Sequence, residues 1–163
     1  MSRRELIQMT QDEIEDFIQT HKTLIIVSNG KDGYPHPMPM WFAINDDGTL
    51  DITTFRKSQK IFNYQRDNKA SLLIEDGLEY EALRSVLIYA DAEIIDDVDQ
   101  TAETMYQVSL RSEQLKGNQV DTNDAAREAF KATARERAGK RLVVRFHPKE
   151  YITWDHSKLG GKY

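Results

Sequence analysis

Between Thr53 and Arg66 the chain reads TTFRKSQKIFNYQR, which sets the hydroxyls of Thr53, Thr54 and Ser58 beside the cations Arg56, Lys57 and Lys60, with Gln59 among them. Hydroxyl and ammonium groups at this spacing suit a phosphate, because each can donate a hydrogen bond to a charged oxygen. The stretch also reads as a strand end running into a helix, where unpaired N–H groups already carry partial positive charge. Cations at such a start cost roughly 0.3–1 kcal/mol each unless an anion fills the space. The helices that begin TQDE at Thr10 and DTND at Asp121 open with acids, whereas Ile52 to Arg66 contains none. Long basic side chains splayed into water from a solvated turn would explain the same residues, and the motif alone leaves both readings open.

Other candidates are scattered. Trp41, Phe42 and Trp154 could wall a planar ligand or serve as core and interface aromatics. Arg84, at the entry of a long strand, could set its planar fork on a carboxylate, a phosphate or a ring carbonyl, or form an interface ion pair. The histidines His21, His36, His147 and His156 lack metal-ligand spacing, so no metal site is expected. The chain has no cysteine, which removes disulfides, Cys-ligated zinc, iron–sulfur clusters and a thiol nucleophile. Neither a nucleophile-elbow motif nor a glycine-rich phosphate fingerprint is present. A formal net charge of −5 gives no global positive field to gather nucleic acid or an anionic membrane, so any anion site is local. No apolar run approaches the ~18 residues a membrane span needs, and the expectation is a cytoplasmic protein.

These residues need elements to hold them. The length of 163 residues suits one domain over 1–163 with a single core. Thr10 with Glu13 forms a capping box ahead of an apolar face at Ile14, Phe17 and Ile18. Strands are expected at Thr23–Ser28, from near Met40, at the segment TLDITTF, at Ala70–Asp76 and at Ser85–Ile95. Pro35, Pro37 and Pro39 restrict their segment to an edge or a strand start. Two charged, Ala-rich helices follow between residues 101 and 140, then two short strands, Arg141–Phe146 and Glu150–Trp154. Strands joined by short turns with helices inserted between them indicate an α+β fold with a mainly antiparallel β-barrel core of six to seven strands.

The segment TTFRKSQKIFNYQRDNKASLLIEDG resembles the pyridoxamine 5′-phosphate oxidase-like family of split β-barrel flavin proteins. With MWFAI and WDHSKLGG, it is similar to the flavin/deazaflavin oxidoreductase B branch over nearly the whole chain. The resemblance implies a homodimer with two cofactor sites in grooves between subunits; the charge balance leads to the expectation of no nucleic-acid or membrane partner. It places Thr53 and Thr54 along the cofactor's polyol and phosphate, and Lys57, Ser58 and Lys60 on the phosphate. Met40, Trp41 and Phe42 correspond to the strand that passes the tricyclic ring, and Trp154 and Lys158 to a C-terminal aromatic-then-basic pair.

Two departures matter. The oxidase proper has Arg where this chain has Gln59, so Arg56 or Lys57 is expected to supply the second cation. WDHSKLGGKY lacks the oxidase's C-terminal substrate-phosphate pattern, so true pyridoxamine phosphate oxidase activity is not expected. The implied cofactor is FMN or the deazaflavin coenzyme F420; Arg56, Lys57, Lys60 and Arg66, with Lys158 and Lys162 from the tail, could serve either. The implied function is an oxidoreductase passing a hydride between bound cofactor and a small organic substrate, with Arg84 as a charged donor at the ring edge and no obligatory protein acid or base. The alternatives are a carrier or sensor that binds the cofactor without turnover, and a haem-binding relative with His36 or His156 as axial ligand.

Overall fold

A computed structural model describes residues 2–160 of the chain. Two helices open it, α1 (Arg3–Leu6) and α2 (Gln11–Thr20), each started by a capping box, Ser2 with Glu5 and Thr10 with Glu13. The α1 turn was not anticipated from the sequence. Seven strands follow: β1 (Thr23–Asn29), β2 (Pro35–Trp41), β3 (Ala43–Ile44), β4 (Leu50–Phe55), β5 (Lys69–Asp76), β6 (Arg84–Ile95) and β7 (Arg141–Asp155). Helix α3 (Gln59–Arg66) joins β4 to β5, and α4 (Val98–Leu115) and α5 (Asp124–Ala138) form a helical pair between β6 and β7.

All pairings are antiparallel, in the order β2-β1-β5-β6-β7-β4-β3. The two edge strands, β2 and β3, are consecutive in sequence and separated by Phe42 alone, so the sheet curls back on itself as a split barrel. Phe42 is 1% exposed and packs into the core with Leu24, Ile26, Leu72, Ile88 and Phe146. Burial of side chains this size is worth roughly 1.5–3 kcal/mol each, and the alternating buried pattern of β1 and β5 supplies much of it.

Two strand expectations are corrected. Pairing in β2 begins at Pro35 rather than near Met40 and runs in continuous register with β1 from Pro35↔Asn29 to Trp41↔Thr23. A two-residue period lets all three prolines turn their missing donors to the open edge, while His36, Met38 and Met40 face inward. The last two expected strands are one, β7, because a register shift opposite Tyr89 and Ala90 absorbs the proline-containing segment and lets pairing with β6 continue. The total of seven strands is therefore reached by a different partition.

The remaining elements follow local chemistry. Asp97 and Asn123 cap α4 and α5 with their side chains, and Gly117, at φ 79°, ends the first of these where a side chain would be strained. Both helices pack against β7, and α4 also against β3 and β4, so the pair covers the outer side of the barrel around β4 and β7. Beneath it, Arg145 donates to both carboxylate oxygens of its cross-strand partner Asp51 at 2.9 and 2.8 Å. None of the described helices is long and apolar enough to cross a membrane.

Candidate functional site

Thr54 ends the inward-facing row of β4, and the next turn of chain brings α3 across it. Thr54 Oγ1 lies 3.2 Å from Ser58 Oγ and accepts from Lys60 Nζ at 3.1 Å. Ser58 occupies the N-cap of α3 with extended backbone, yet its side chain makes no capping bond; the other described α-helices all have one. The first-turn N–H groups of Gln59 and Lys60 are therefore left without a side-chain acceptor.

Lys60 is 7% exposed and forms no ion pair among the described residues. Burial lowers its pKa below the ordinary lysine value, with no neighbouring charge to offset it. A buried ammonium beside uncapped helix N–H groups and two hydroxyls is a cluster of donors whose chemistry suits a phosphate.

The first turn of α3 also forms one wall of a cleft of about 390 Å³ whose other wall is the β1–β2 hairpin. Its lining includes Lys31, Tyr34, His36, Pro37, Gln59 and Asn63. His36 Nε2 is buried there without a partner, an orphan that a ligand acceptor or donor would satisfy. The donor-rich lining and the adjacent cradle fit a phosphate-bearing ring cofactor. The sequence reading did not bring Lys31, Tyr34, Ser28 or Asn63 to the site. Only Asn63 left a signal: an asparagine inside a helix, one turn after Lys60, is a poor helix former and points to a buried polar task.

The other expected residues divide. Thr53 neighbours Thr54 on one strand, so its side chain faces the opposite side of the sheet, half-buried. Arg56, expected as a second phosphate cation, is committed elsewhere: it donates to both oxygens of Asp96 at 2.6 Å and to the Gly139 carbonyl at 3.0 Å, tying the cradle loop to the start of α4 and the end of α5. Arg66 is likewise engaged, by the Asn29 carbonyl and by Asn63 Oδ1. Lys57 is exposed, has no ion pair among the described residues and adjoins Ser58 in the chain.

Met40, Trp41 and Phe42 point three ways. Met40 packs against the core, Trp41 is half-exposed with Lys22 Nζ 3.8 Å above its ring, and Phe42 is buried under the Arg111 guanidinium at 4.6 Å. Phe42 therefore offers no free face to a ring. Arg84 pairs with Asp76 at 2.7 Å and lies 5.4 Å from the Phe17 ring. Trp154 pairs across the sheet with Ser85, and Lys158 donates to Gln8 O at 2.7 Å and Glu13 Oε2 at 2.5 Å, which holds the Glu13 carboxyl below its ordinary range. His156 Nδ1 lies 2.9 Å from the Tyr80 carbonyl. Lys162 lies outside the described residues.

Arg84 and Trp154 thus lie at the end of the β6–β7 pair away from Leu142, and Lys158 follows just beyond it. Thr54 pairs with Leu142 at the start of β7, and Trp154 lies near its other end, ~40 Å away along the strand at ~3.3 Å per residue.

A family model for pyridoxamine 5′-phosphate oxidase matches residues 10–155. The structure of a conserved hypothetical protein, Rv2991 from Mycobacterium tuberculosis, is 32% identical with a TM-score of 0.82, covering 100% of this chain and 95% of that one. An F420 reductase is 17% identical with a TM-score of 0.56, over 84% of this chain and 94% of its own. A FAD-binding protein from Mesorhizobium loti is 14% identical with a TM-score of 0.61, over 89% and 94%. The last two are likenesses of fold. A search of the curated proteins found no match. On the extent of the family match and of the Rv2991 likeness, the chain belongs to the pyridoxamine 5′-phosphate oxidase-like family of split β-barrels.

Proposed function

We propose that the chain is an oxidoreductase that binds FMN or coenzyme F420 and passes a hydride between it and a small unsaturated or quinone-like molecule. One observation carries the reading: Lys60 is buried beside Thr54 and an uncapped helix start, with no counter-charge of its own. Family membership and the flavin- and deazaflavin-named neighbours support it. In this reading Lys60, Ser58, Thr54 and the first-turn N–H groups of α3 hold the phosphate, with Lys57 adding charge from solvent. His36, Gln59 and Asn63 line the cleft in which the ring and substrate stack. The cofactor, when bound, supplies the hydride chemistry; the protein's residues fix its orientation and exclude water from its face.

The same reading takes the working unit as a homodimer. The aromatic and basic residues at the far end of β7 lie at the opposite end of that strand from the cradle, and in this reading a second copy brings them to it. The exposed side of the sheet supports this. Pro39, Ile25, Leu73, Leu87 and Ile152 stand opposite one another on successive strands β2, β1, β5, β6 and β7, a continuous apolar row suited to burial against its equal.

The test is the absorbance spectrum of freshly purified protein, with mass spectrometry of what heat releases. A flavin or deazaflavin spectrum and mass are expected. A haem Soret band, or a colourless protein that binds neither cofactor below roughly millimolar concentration, would overturn the proposal.

A further inference from the structure

Asn63 is 0% exposed and lies one turn beyond Lys60 on the buried side of α3. Its Nδ2 donates to Ser28 Oγ at 2.9 Å, and its Oδ1 accepts from Gln59 Nε2 at 3.0 Å and Arg66 Nη2 at 3.3 Å. Ser28 is 1% exposed and stands directly across the β1–β2 pair from His36, whose Nε2 is the cleft's orphan atom. Arg66 extends the relay to the Asn29 carbonyl, and Asn29 Nδ2 donates to Asp67 Oδ2 at 2.7 Å.

Asn63 thus joins the two halves of the candidate site. Through Gln59 it touches the turn that presents the cradle, and through Ser28 the strand pair that presents the cleft. Asparagine is a poor helix former, and a buried amide is costly unless its partners are fixed, so an apolar residue would fill this position with less demand on geometry. What an apolar residue would not supply is direction.

We infer that Asn63 is a positioning residue that locks the first turn of α3 to the β1–β2 hairpin, so that phosphate and ring of one cofactor are bound by a single rigid unit. This rests on the reading of cradle and cleft as a cofactor site. The gain from a tethered second contact depends on the fixed distance between the two subsites. Loosening Asn63 therefore costs a ligand that needs both subsites in register more than one that lacks the phosphate.

The experiment measures dissociation constants for two matched pairs, FMN against riboflavin and coenzyme F420 against its phosphate-free deazaflavin core. The proteins compared are the full chain and its Asn63→Leu, Ser28→Ala and Ser28→Thr variants. In the unaltered chain the phosphate-bearing member of at least one pair binds more tightly. Asn63→Leu lowers that preference about tenfold, over and above whatever loss both members share because Asn63 also lines the cleft. Ser28→Ala lowers the preference less, and Ser28→Thr, which keeps the hydroxyl, retains it. Equal loss for both members of a pair, as a merely structural residue would give, overturns the inference and leaves the cofactor site standing. An unaltered chain that binds none of the four overturns both. Should Asn63→Leu fail to fold, the Ser28 pair decides: an unchanged preference in Ser28→Ala overturns the inference.

Discussion

Lys60 Nζ rests 3.1 Å from Thr54 Oγ1, both side chains buried, and among the described residues no carboxylate pairs with that ammonium. The arrangement is unfavourable in isolation, since burial penalises the charged form and one neutral hydroxyl returns only part of the lost hydration. It becomes favourable once an anion joins it. A residue that costs stability until ligand arrives marks a site kept for binding.

Lys60→Met is therefore expected to raise the stability of ligand-free protein at neutral pH by about 1–2 kcal/mol while weakening phosphate-dependent binding. Urea unfolding of both proteins without ligand checks it. A clear loss of stability in the variant would mean that the ammonium supports the fold instead.

The pH dependence has a definite sign. Burial lowers the Lys60 pKa in the folded protein, so between that value and the ordinary one of about 10.4 the unfolded chain binds more protons. Stability of ligand-free protein from this group therefore rises with pH through that window and is constant below it. The difference in unfolding free energy between wild type and Lys60→Met should move in favour of wild type as pH climbs toward 10.4. A flat or opposite trend contradicts the burial of a charged amine.

Arg56, despite its place in the motif, is expected to contribute little to phosphate binding because Asp96 and the Gly139 carbonyl already hold it. Arg56→Ala should change cofactor affinity by less than about threefold, a surface ion pair's effect, while Lys60→Ala costs about 1.5–3 kcal/mol. Isothermal titration with whichever cofactor binds separates them. Equal losses would return Arg56 to the first contact layer.

The pair Asp51–Arg145 should matter to the fold alone. Asp51 is 1% exposed, so Arg145→Met leaves a buried carboxylate unpaired and should destabilise by about 3–5 kcal/mol, with much of it restored in the double variant carrying Asp51→Leu. Unfolding midpoints of the single and double variants provide the test.

Association is predicted to run through the apolar row at Ile25, Leu73, Leu87 and Ile152. Leu73→Glu places a carboxylate at its centre and should convert a dimer to a monomer in sedimentation, with cofactor binding lost together with it. A variant that stays dimeric, or a wild type that sediments as a monomer, contradicts the two-chain site.

Much of this architecture was legible in the sequence because local chemistry and tertiary context agree. Thr10 and Glu13 announce α2, the alternation in Thr23–Asn29 announces β1, and the acid-free helix start announces the cradle. Where they compete, sequence reading fails. Proline argues against pairing, yet the edge position of β2 removes the objection, and Pro148 did not break β7 because a register shift took it up. Of the site, Ser58 and Lys60 stood out as charge and hydroxyl out of place. Arg56 looked equivalent, because its partner Asp96 lies 40 residues away and only the fold brings it near. Ser28 carries no chemistry that spacing reveals, and Asn63 shows only as an asparagine inside a helix; their meeting depends on how α3 crosses β1.

The central claim is that the Thr54, Ser58 and Lys60 cluster holds the phosphate of a flavin-type cofactor. Titrating FMN and coenzyme F420 into cofactor-free wild type and Lys60→Met tests it most directly. At least one is predicted to bind wild type well below millimolar and to lose about 10- to 150-fold in the variant. Binding of neither, or equal affinity in both proteins, would contradict it.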